Sequence, residues 1–324
     1  MADKTGVDAP NVSKGVHDLV IIGAGPAALS AAIYTTREDI DTLLVEKAIP
    51  GGLIATTDWV DNYPGFPDGI EGLALSDLMR KQAERFGAVI ELAEVMGIAR
   101  DGDHIKLDTT SGDILARALL IATGSSYKKI GVPGEDENYA RGVHYCATCD
   151  GAFYRDKRLV CVGGGNSAVQ ESMFLTRFAR HIDLLVRHDF RASDVLVHQL
   201  ETEFKDKITV HKFTTTDEIV AADGHVTKVI GTDTKTGKQV EFPTDGVFVF
   251  VGLKPNTGFL KDSGLEFDDI GLIKTNEDLE TDLPGIFVAG DVRSGATMQI
   301  ATATGEGATA ALKIRQFLEN SRNS

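Results

Sequence analysis

The sequence predicts an α/β protein with two βαβ units, and three observations support this. An apolar, strand-like run at 18–22 leads directly into a glycine-rich turn that opens a helix. The same order of features recurs about 140 residues later. The length of 324 residues suits about two domains, each with its own core. We therefore expect two Rossmann-like domains.

The first turn reads GAGPAA at 23–28 and matches the pattern G-x-G-x-x-A. In such a turn Gly23 allows the tight bend, Gly25 lets a pyrophosphate approach the backbone, and the small Ala28 lets helix and strand pack closely. A helix is expected over 29–37 and a second strand over 42–45. Glu46 closes that strand, where it would accept hydrogen bonds from the ribose hydroxyls of an adenosine. The unit predicts a dinucleotide site.

The second unit has a strand at 158–162, the turn GGGNSA at 163–168, a helix to about 180 and a strand at 182–186. In the position of Glu46 it has Arg187, followed by His188 and Arg191. An acid there would repel a 2′-phosphate, whereas a guanidinium binds it with paired hydrogen bonds. The second site is therefore expected to prefer NADP over NAD. The alternative is a solvated basic turn without a ligand.

Three cysteines are present, and two of them, Cys146 and Cys149, form a Cys-x-x-Cys. That number excludes a secreted scaffold built on disulfides. A structural zinc site would need four ligands, usually from a second cysteine pair, so no metal is expected. A redox role is favoured for the pair. Cys161 lies in an apolar run and is expected to be a buried core thiol.

Composition excludes several function classes. The net charge of −15 argues against a general nucleic-acid-binding role, because phosphate contact requires a basic surface. No apolar run approaches the roughly 18 residues of a membrane span, and 1–15 contains no apolar signal-peptide core. We expect a cytoplasmic protein without membrane contact, in which 1–15 is a disordered extension.

The remaining strands indicate that the first domain is split. Apolar runs at 118–122 and 246–251 end near Gly124 and Gly252, which are candidate crossover points between domains. Another strand at 285–289 ends at Gly290 and Asp291, where a carboxylate suits a polar contact to a cofactor. The segment 208–243 has turn residues between alternating apolar positions and is expected to form hairpin strands.

Together these residues resemble the low-molecular-weight thioredoxin reductases, which belong to the pyridine-nucleotide disulfide oxidoreductase flavoproteins. The resemblance covers nearly the whole chain. Its most specific element is CATCDG at 146–151, placed a few residues before the second glycine turn, where this family carries its redox pair. Flavoproteins of the glutathione reductase type instead place the pair in the first domain and add a dimerisation domain. This sequence has neither feature.

The resemblance implies a discontinuous FAD domain at 1–125 and 251–324, with an NADPH domain at 126–250 inserted between its parts. It also implies a homodimer, and thioredoxin or a thioredoxin-like protein as partner. The implied FAD contacts are Gly23, Gly25, Ala28, Glu46, Gly51, Gly52, Asn62, Gly124, Asp291 and Gln299. The implied NADPH contacts are Gly163, Gly165, Asn166, Ser167, Ala168, Arg187, His188 and Arg191.

The family pattern also assigns roles to the redox residues. Cys149 would be the sulfur nearest the flavin, Cys146 the nucleophile toward the thioredoxin disulfide, and Asp150 the general acid or base that protonates the departing thiolate. The alternative for Asp150 is a solvated turn residue. His144 precedes the pair but is expected to be an exposed loop residue. Rotation of the inserted domain, with hinges near 124–126 and 252–254, would let the disulfide serve both partners.

Two departures from the family leave other functions open. The turn VRHDFR at 186–191 is one residue shorter and has one Arg fewer than the family pattern, so the NADP preference is expected to be weaker or to depend on the charge of His188. Met298 precedes Gln299 where the family often has Arg. The alternatives are a related flavoprotein that uses NADH, ferredoxin or a second flavin as donor, and a non-catalytic nucleotide sensor. The Cys-x-x-Cys with Asp150 argues against a sensor.

Overall fold

The computed structural model describes residues 15–57 and 59–322, which divide into two compact units. The first unit comprises the described residues up to Trp59, then Tyr63–Ser126, then those from Lys254 onward. The second comprises Val60–Asn62 and Tyr127–Leu253, so it is inserted into the sequence of the first. The expected extension at 1–15 lies outside the described residues, apart from Gly15.

Strands alternate with helices in each glycine-turn unit, and runs of consecutive strands lie between them. In chain order the strands and helices are β1 (Val16–Ile22), α1 (Pro26–Thr36), β2 (Thr42–Glu46), β3 (Trp59–Val60), β4 (Ile70–Glu71), α2 (Gly72–Arg85), β5 (Val89–Leu92), β6 (Val95–Asp101), β7 (His104–Thr109), β8 (Gly112–Ile121), β9 (Ser125–Tyr127), β10 (Val143–His144), α3 (Ala147–Asp150), β11 (Arg158–Val162), α4 (Asn166–Leu175), β12 (His181–Val186), α5 (Asp194–Glu203), β13 (Ile208–Lys212), β14 (Glu218–Ala222), β15 (His225–Asp233), β16 (Lys238–Pro243), β17 (Gly246–Val249), β18 (Leu253–Pro255), β19 (Ile286–Val288) and α6 (Ile300–Arg322). The runs of consecutive strands include β5 to β10 and β13 to β19.

The first unit is built on a seven-stranded sheet in the order β5-β2-β1-β8-β7-β6, with β19 also paired to β8. Strands β5, β2, β1, β8 and β19 are parallel, whereas β6 and β7 run antiparallel to their neighbours. The central strands read as apolar runs because they are buried, and Leu19, Val20 and Ile21 are fully inaccessible. Helices α1 and α6 pack closely, since a Cβ on Gly307 would overlap the Ala27 carbonyl.

The second unit combines a five-stranded parallel sheet, in the order β10-β17-β11-β12-β13, with a three-stranded antiparallel sheet of β14, β15 and β16. The expected hairpins are present in the antiparallel sheet. Within 208–243, however, the expectation was wrong for β13, which pairs in parallel with β12. Alternating apolar and polar residues do not distinguish a hairpin strand from the edge strand of a parallel sheet.

Apart from the short segment Val60–Asn62, the chain passes from one unit to the other within β9 and within β18, and these two strands pair in a two-stranded sheet. Gly124 before β9 has φ +65 and Gly252 before β18 has φ +106, conformations that favour glycine. In the described part of the chain, no helix has the length and apolar character needed to cross a bilayer.

Candidate functional site

The first glycine turn joins β1 to α1. Gly23 has φ +105, and a Cβ there would lie 2.6 Å from the Ala122 carbonyl oxygen, so the turn requires glycine. Gly25 is the N-cap of α1, no side chain caps this helix, and its first turn contains no acidic residue. The backbone N–H groups at this end therefore favour an anionic ligand such as a pyrophosphate. Ala28 is fully buried against the sheet, as its small size predicted.

Two further predicted elements lie against this turn. The Ala24 amide donates a hydrogen bond of 2.8 Å to Glu46 Oε2, so the acid at the end of β2 is tied to the glycine turn. The Gly51 amide donates to the Ala24 carbonyl at 2.8 Å, and a Cβ on Gly52 would lie 3.3 Å from Gly25 Cα. The structure thus brings Glu46 and both glycines of the 51–52 turn to the predicted dinucleotide loop.

Asp291 lies just beyond the carboxyl end of β19, after Gly290 with φ +77. Burial, and then the charge of Glu306, raise the pKa of Asp291 to about 6. Glu306 on α6 accepts hydrogen bonds from the Gly290 amide at 2.8 Å and from Arg293 Nη2 at 2.6 Å. Sequence reasoning missed Glu306 and Arg293, because their role depends on how α6 packs beside the turn.

The last three predicted flavin contacts have different positions. Gly124 follows β8, near the end of the strand that pairs with β1. Gln299 directly precedes α6. Its backbone N–H donates to Thr302 Oγ1 at 3.2 Å, in the first turn of that helix. Asn62 falls in the segment Val60–Asn62, which groups with the second unit rather than with the glycine turn. The flavin roles of all three stay predictions.

The second glycine turn joins β11 to α4 in the same way. Gly163 has φ +149, and a Cβ there would overlap the Phe250 carbonyl. Gly165 is the N-cap of α4, and a Cβ on it would meet no atom within 4 Å, so its backbone is open to a ligand. Asn166 Oδ1 accepts from the Ser193 amide at 2.9 Å, Ser167 is exposed and Ala168 is buried. This pattern repeats the geometry of the first turn.

The basic turn after β12 lies against this second glycine turn. The Arg191 amide donates to the Gly164 carbonyl at 2.7 Å, while the side chains of Arg187, His188 and Arg191 are exposed. These side chains are available to a phosphate close to the helix that begins at Asn166.

Sequence reasoning missed an ion pair within the basic turn. Lys212 Nζ lies 3.0 Å from Asp189 Oδ1, and the hydrogen bonds from Lys212 and from the Phe190 amide lower the pKa of Asp189. Lys212 reaches the turn because β13 pairs in parallel with β12, with Lys212 opposite Val186. The sequence shows only that Lys212 ends a strand. Which acid this lysine meets depends on which strand lies beside β13 in the sheet.

The predicted redox pair is a disulfide. Cys146 and Cys149 are joined across one turn of α3, with their Cα atoms 5.3 Å apart. Cys146 is the N-cap residue, and its sulfur accepts from the Cys149 amide at 3.2 Å. Both residues are partly exposed.

Asp150, which directly follows Cys149, forms a close pair with His144. His144 is only 8% exposed, and its Nδ1 lies 3.3 Å from Asp150 Oδ2. Its Nε2 lies 2.7 Å from Tyr154 Oη. The expectation of an exposed loop histidine was therefore wrong. The reason is that β10 pairs in parallel with β17, which places Phe248 opposite His144 and covers the imidazole.

The third cysteine plays no part in this site. Cys161 is fully buried in β11, and burial raises the pKa of its thiol to about 12. The expected core role is thus confirmed by its burial. Over residues 15–57 and 59–322, no group of three or more His, Cys, Asp and Glu residues has the arrangement of a metal site.

Two Rossmann-like units, with a Cys-x-x-Cys disulfide in the inserted unit, define the class of two-domain disulfide oxidoreductases. The family described as "Pyridine nucleotide-disulphide oxidoreductase" matches residues 17–307. The thioredoxin reductase of Bacillus subtilis is 43% identical over 94% of this chain and 95% of its own length. That of Treponema pallidum is 39% identical over 95% of this chain and 99% of its own length. The thioredoxin reductase structure from Streptococcus pyogenes has a TM-score of 0.90 and 38% identity, and covers 95% of this chain and all of that one.

The chain therefore belongs to the low-molecular-weight thioredoxin reductases, within the pyridine nucleotide-disulphide oxidoreductase family. The predicted α/β class with two Rossmann-like units is confirmed.

Proposed function

We propose that this chain transfers reducing equivalents from NADPH through FAD to the Cys146–Cys149 disulfide, and then to the disulfide of thioredoxin or a thioredoxin-like protein. The observation that carries the proposal is the partly exposed Cys146–Cys149 disulfide followed by Asp150, in the same unit as a second glycine turn with exposed arginines. The relatives named thioredoxin reductase support this choice of acceptor.

The residues around the first glycine turn fit FAD. The uncapped start of α1 and the open backbone at Gly25 suit the pyrophosphate, and Glu46 has lone pairs left for the ribose. Asp291 is half-buried and burial raises the pKa of its carboxyl group, which suits a polar contact to a bound ring system. Bound FAD would take a hydride from the nicotinamide and supply an electron pair that a disulfide can accept.

The residues around the second glycine turn fit a nicotinamide dinucleotide in the same way, at the open backbone of Gly165 and beside the exposed Ser167. The preference for NADPH rests on Arg187 and Arg191, whose guanidinium groups would pair with a 2′-phosphate. His188 would add a charge there only when protonated.

Cys146, Cys149 and Asp150 perform the thiol chemistry. A thiolate attacks a disulfide sulfur in line, so a reduced Cys146 would attack the substrate and Cys149 would then release the mixed disulfide. Asp150 directly follows Cys149 and is 17% exposed, and its carboxylate would accept a thiol proton or return it to a departing thiolate. These assignments extend the family pattern to the residues of this chain.

NADH, ferredoxin or a second flavin as the electron donor is the second candidate. Asp189 favours it, because this acid lies in the turn that would bind the 2′-phosphate and neutralises Lys212. The exposed arginines of the same turn favour NADPH, so we rank the alternative second.

Location and assembly complete the proposal. A reducing cytoplasm would keep the redox pair in its catalytic cycle rather than as a permanent disulfide. We also propose a homodimer, which sedimentation equilibrium of the FAD-loaded protein would test. A mass that stays at that of one 34.7 kDa polypeptide with its FAD at micromolar concentration would refute the dimer.

An anaerobic titration tests the donor. NADPH or NADH is added to the purified flavoprotein, and the visible flavin absorbance is followed. We expect rapid bleaching by NADPH and slower bleaching by NADH. A Cys146→Ser variant serves as the matched control, because its flavin should still bleach while reduction of thioredoxin is lost. Bleaching by dithionite but by neither nucleotide would show that the donor is something else.

A further inference from the structure

Three polar side chains close to the redox cysteines in the sequence form a chain of contacts, in which His144 is buried and Tyr154 and Asp150 are half-buried. The chain of contacts runs from Tyr154 Oη to His144 Nε2 over 2.7 Å, and from His144 Nδ1 to Asp150 Oδ2 over 3.3 Å. The imidazole of His144 stacks on Phe248, with ring centroids 5.2 Å apart, and meets the edge of Tyr154 at 5.3 Å. The ring thus packs against two aromatic side chains, and each of its nitrogens lies near a polar partner.

The Tyr154 hydroxyl donates to His144 Nε2 in one imidazole tautomer and accepts from it in the other. The first tautomer presents Nδ1–H to Asp150. Burial, and then the charges of Asp150 and Asp245, raise the pKa of Tyr154 above its ordinary value, so its hydroxyl keeps its proton. The short helix α3 contributes Asp150, the turn after it contributes Tyr154, and β17 contributes Phe248.

We propose that His144 and Tyr154 are positioning residues for the thiol–disulfide step, which hold the Asp150 carboxylate as the proton acceptor beside the cysteine pair. The proposal rests on the role given to Asp150 under the proposed function. It deepens that function, because it explains how a carboxylate on a short helix keeps one orientation while the cysteines change between disulfide and dithiol.

The step balances as a thiol–disulfide exchange. The Cys146 sulfur bonds to one substrate sulfur, the substrate S–S bond breaks with its electron pair on the leaving sulfur, and the Cys146 proton passes to Asp150. Cys149 then attacks Cys146, and the second substrate sulfur leaves. The enzyme pair is oxidised by two electrons, the substrate is reduced by two, and the two cysteine protons end on the two substrate thiols.

The test is the pH profile of that exchange. The holoenzyme is reduced with dithiothreitol, freed of it, and oxidised in a single turnover by dithiobis(nitrobenzoate) over a range of pH. His144→Phe keeps the ring but removes both nitrogens. We expect the acid limb of its profile to move up by about one pH unit and the rate at neutral pH to fall about tenfold. His144→Asn keeps a donor near the Nδ1 position and should restore most of the rate.

Two further variants keep the test decisive. Tyr154→Phe removes only the hydroxyl and should shift the limb in the same direction by less, even if His144→Phe fails to fold. His211→Phe is the matched control. Its Nε2 lies 2.9 Å from the buried Asp183, and its ring meets Phe242 edge-on at 4.8 Å, but it belongs to β13. We expect it to leave the profile unchanged.

Asp150→Asn separates the proposal from the function on which it rests. If this variant moves the acid limb up toward the ordinary thiol pKa of about 8.5 while His144→Phe and Tyr154→Phe keep the wild-type limb, Asp150 is the proton acceptor and the positioning proposal is overturned. If Asp150→Asn itself keeps the wild-type limb, the role of Asp150 and the positioning proposal both fail. A shift in His211→Phe equal to that in His144→Phe would likewise overturn the proposal, because it would indicate a general effect of lost histidine packing.

Discussion

Lys212 Nζ lies 3.0 Å from the Asp189 carboxylate, within the turn that carries Arg187 and Arg191. Lys212 also lies over the Phe190 ring, 5.0 Å from its centroid. The lysine therefore adds a positive charge to the proposed phosphate site, and Asp189 cancels that charge. We therefore expect this pair to influence how strongly the turn attracts a 2′-phosphate.

Replacing Asp189 tests this balance. In Asp189→Asn the amide oxygen can still accept from the Phe190 backbone, while Lys212 loses its ionic partner. We expect the ratio of kcat/KM for NADPH over NADH to rise about two- to fivefold at low salt, and less at high salt, because the site is exposed. Glu241→Gln, which breaks an exposed pair with Lys228 of 2.7 Å, is the control and should leave the ratio unchanged. An unchanged or lower ratio in Asp189→Asn would refute the argument.

Asp291 should lower the stability of the FAD-free protein at neutral pH. Its pKa is raised from 3.8 to about 6, mainly by burial, so the ionised form is disfavoured in the folded state. The resulting cost is absent below about pH 4, grows as the pH rises toward the folded-state pKa, and is complete above it.

Asp291→Asn should therefore raise the free energy of unfolding of the FAD-free protein by about 1–3 kcal/mol at neutral pH, and by little at about pH 4. FAD affinity should fall at the same time. Urea unfolding of the FAD-free protein at both pH values measures the first effect, and flavin fluorescence measures the second. Asp278→Asn, at an exposed acid paired with Lys313, controls for loss of a surface charge. Equal stability of Asp291→Asn and wild type at neutral pH would contradict the assigned shift.

Local sequence patterns predicted the glycine turns because their geometry depends on adjacent residues. Gly23 and Gly163 both have the positive φ that a tight strand-to-helix turn requires. Glu46 was predicted at the end of the first unit's second strand and is tied to the first turn there. Such positions follow from strand length and turn type, which a sequence carries locally.

The missed features depend on contacts distant in sequence. His144 is buried because its neighbour in the sheet is Phe248, about a hundred residues later. Lys212 meets Asp189 because β13 lies beside β12, an order that alternation of apolar residues does not encode. Pairing partners and the chemistry of buried polar groups thus required the three-dimensional structure.

Cys161 should be chemically silent in the folded protein. Its thiol is fully buried, and burial raises its pKa to about 12, so the thiolate population is negligible at neutral pH. In the reduced native protein we expect an aromatic disulfide reagent to titrate two thiols, and a third only after denaturation. Cys161→Ala should abolish the third without changing the first two. Three rapidly reacting thiols in the native protein would disprove this prediction.

Asp183 should stabilise the second unit, because its carboxylate is hydrogen-bonded by two side chains. Its carboxylate accepts from His211 Nε2 at 2.9 Å and from Arg158 Nη2 at 3.1 Å. Burial raises the pKa of Asp183, but these hydrogen bonds outweigh burial and hold the pKa below its usual value. The stabilisation is therefore present above the unfolded-state pKa of about 4, and is lost as the pH falls through the folded-state value.

Asp183→Asn should lower the free energy of unfolding by about 1–3 kcal/mol at neutral pH, because a buried charged partner is lost. The difference in free energy of unfolding between this variant and wild type should shrink in acid, where the wild-type carboxylate is protonated and uncharged. Urea unfolding at neutral and acidic pH measures both. Asp136→Asn, at an exposed acid paired with Lys129, should change stability far less. A deficit that is the same in acid as at neutral pH would assign the effect to packing rather than charge.

Two alanine variants in the first glycine turn, at Gly23 and at Gly25, should separate an effect on folding from an effect on FAD binding. Gly23 has φ +105, and an added Cβ would lie 2.6 Å from the Ala122 oxygen, so Gly23→Ala should cost about 1–3 kcal/mol of stability. Gly25 has φ −80, and an added Cβ would find its nearest atom, Gly52 Cα, at 4.0 Å. Gly25→Ala should fold normally, yet bind FAD at least about tenfold more weakly, because the methyl stands where the pyrophosphate approaches the backbone. Thermal unfolding of the FAD-free variants and FAD titration by fluorescence distinguish the two effects. Wild-type FAD affinity in Gly25→Ala would show that the pyrophosphate does not approach this turn, and the first unit would then need another ligand.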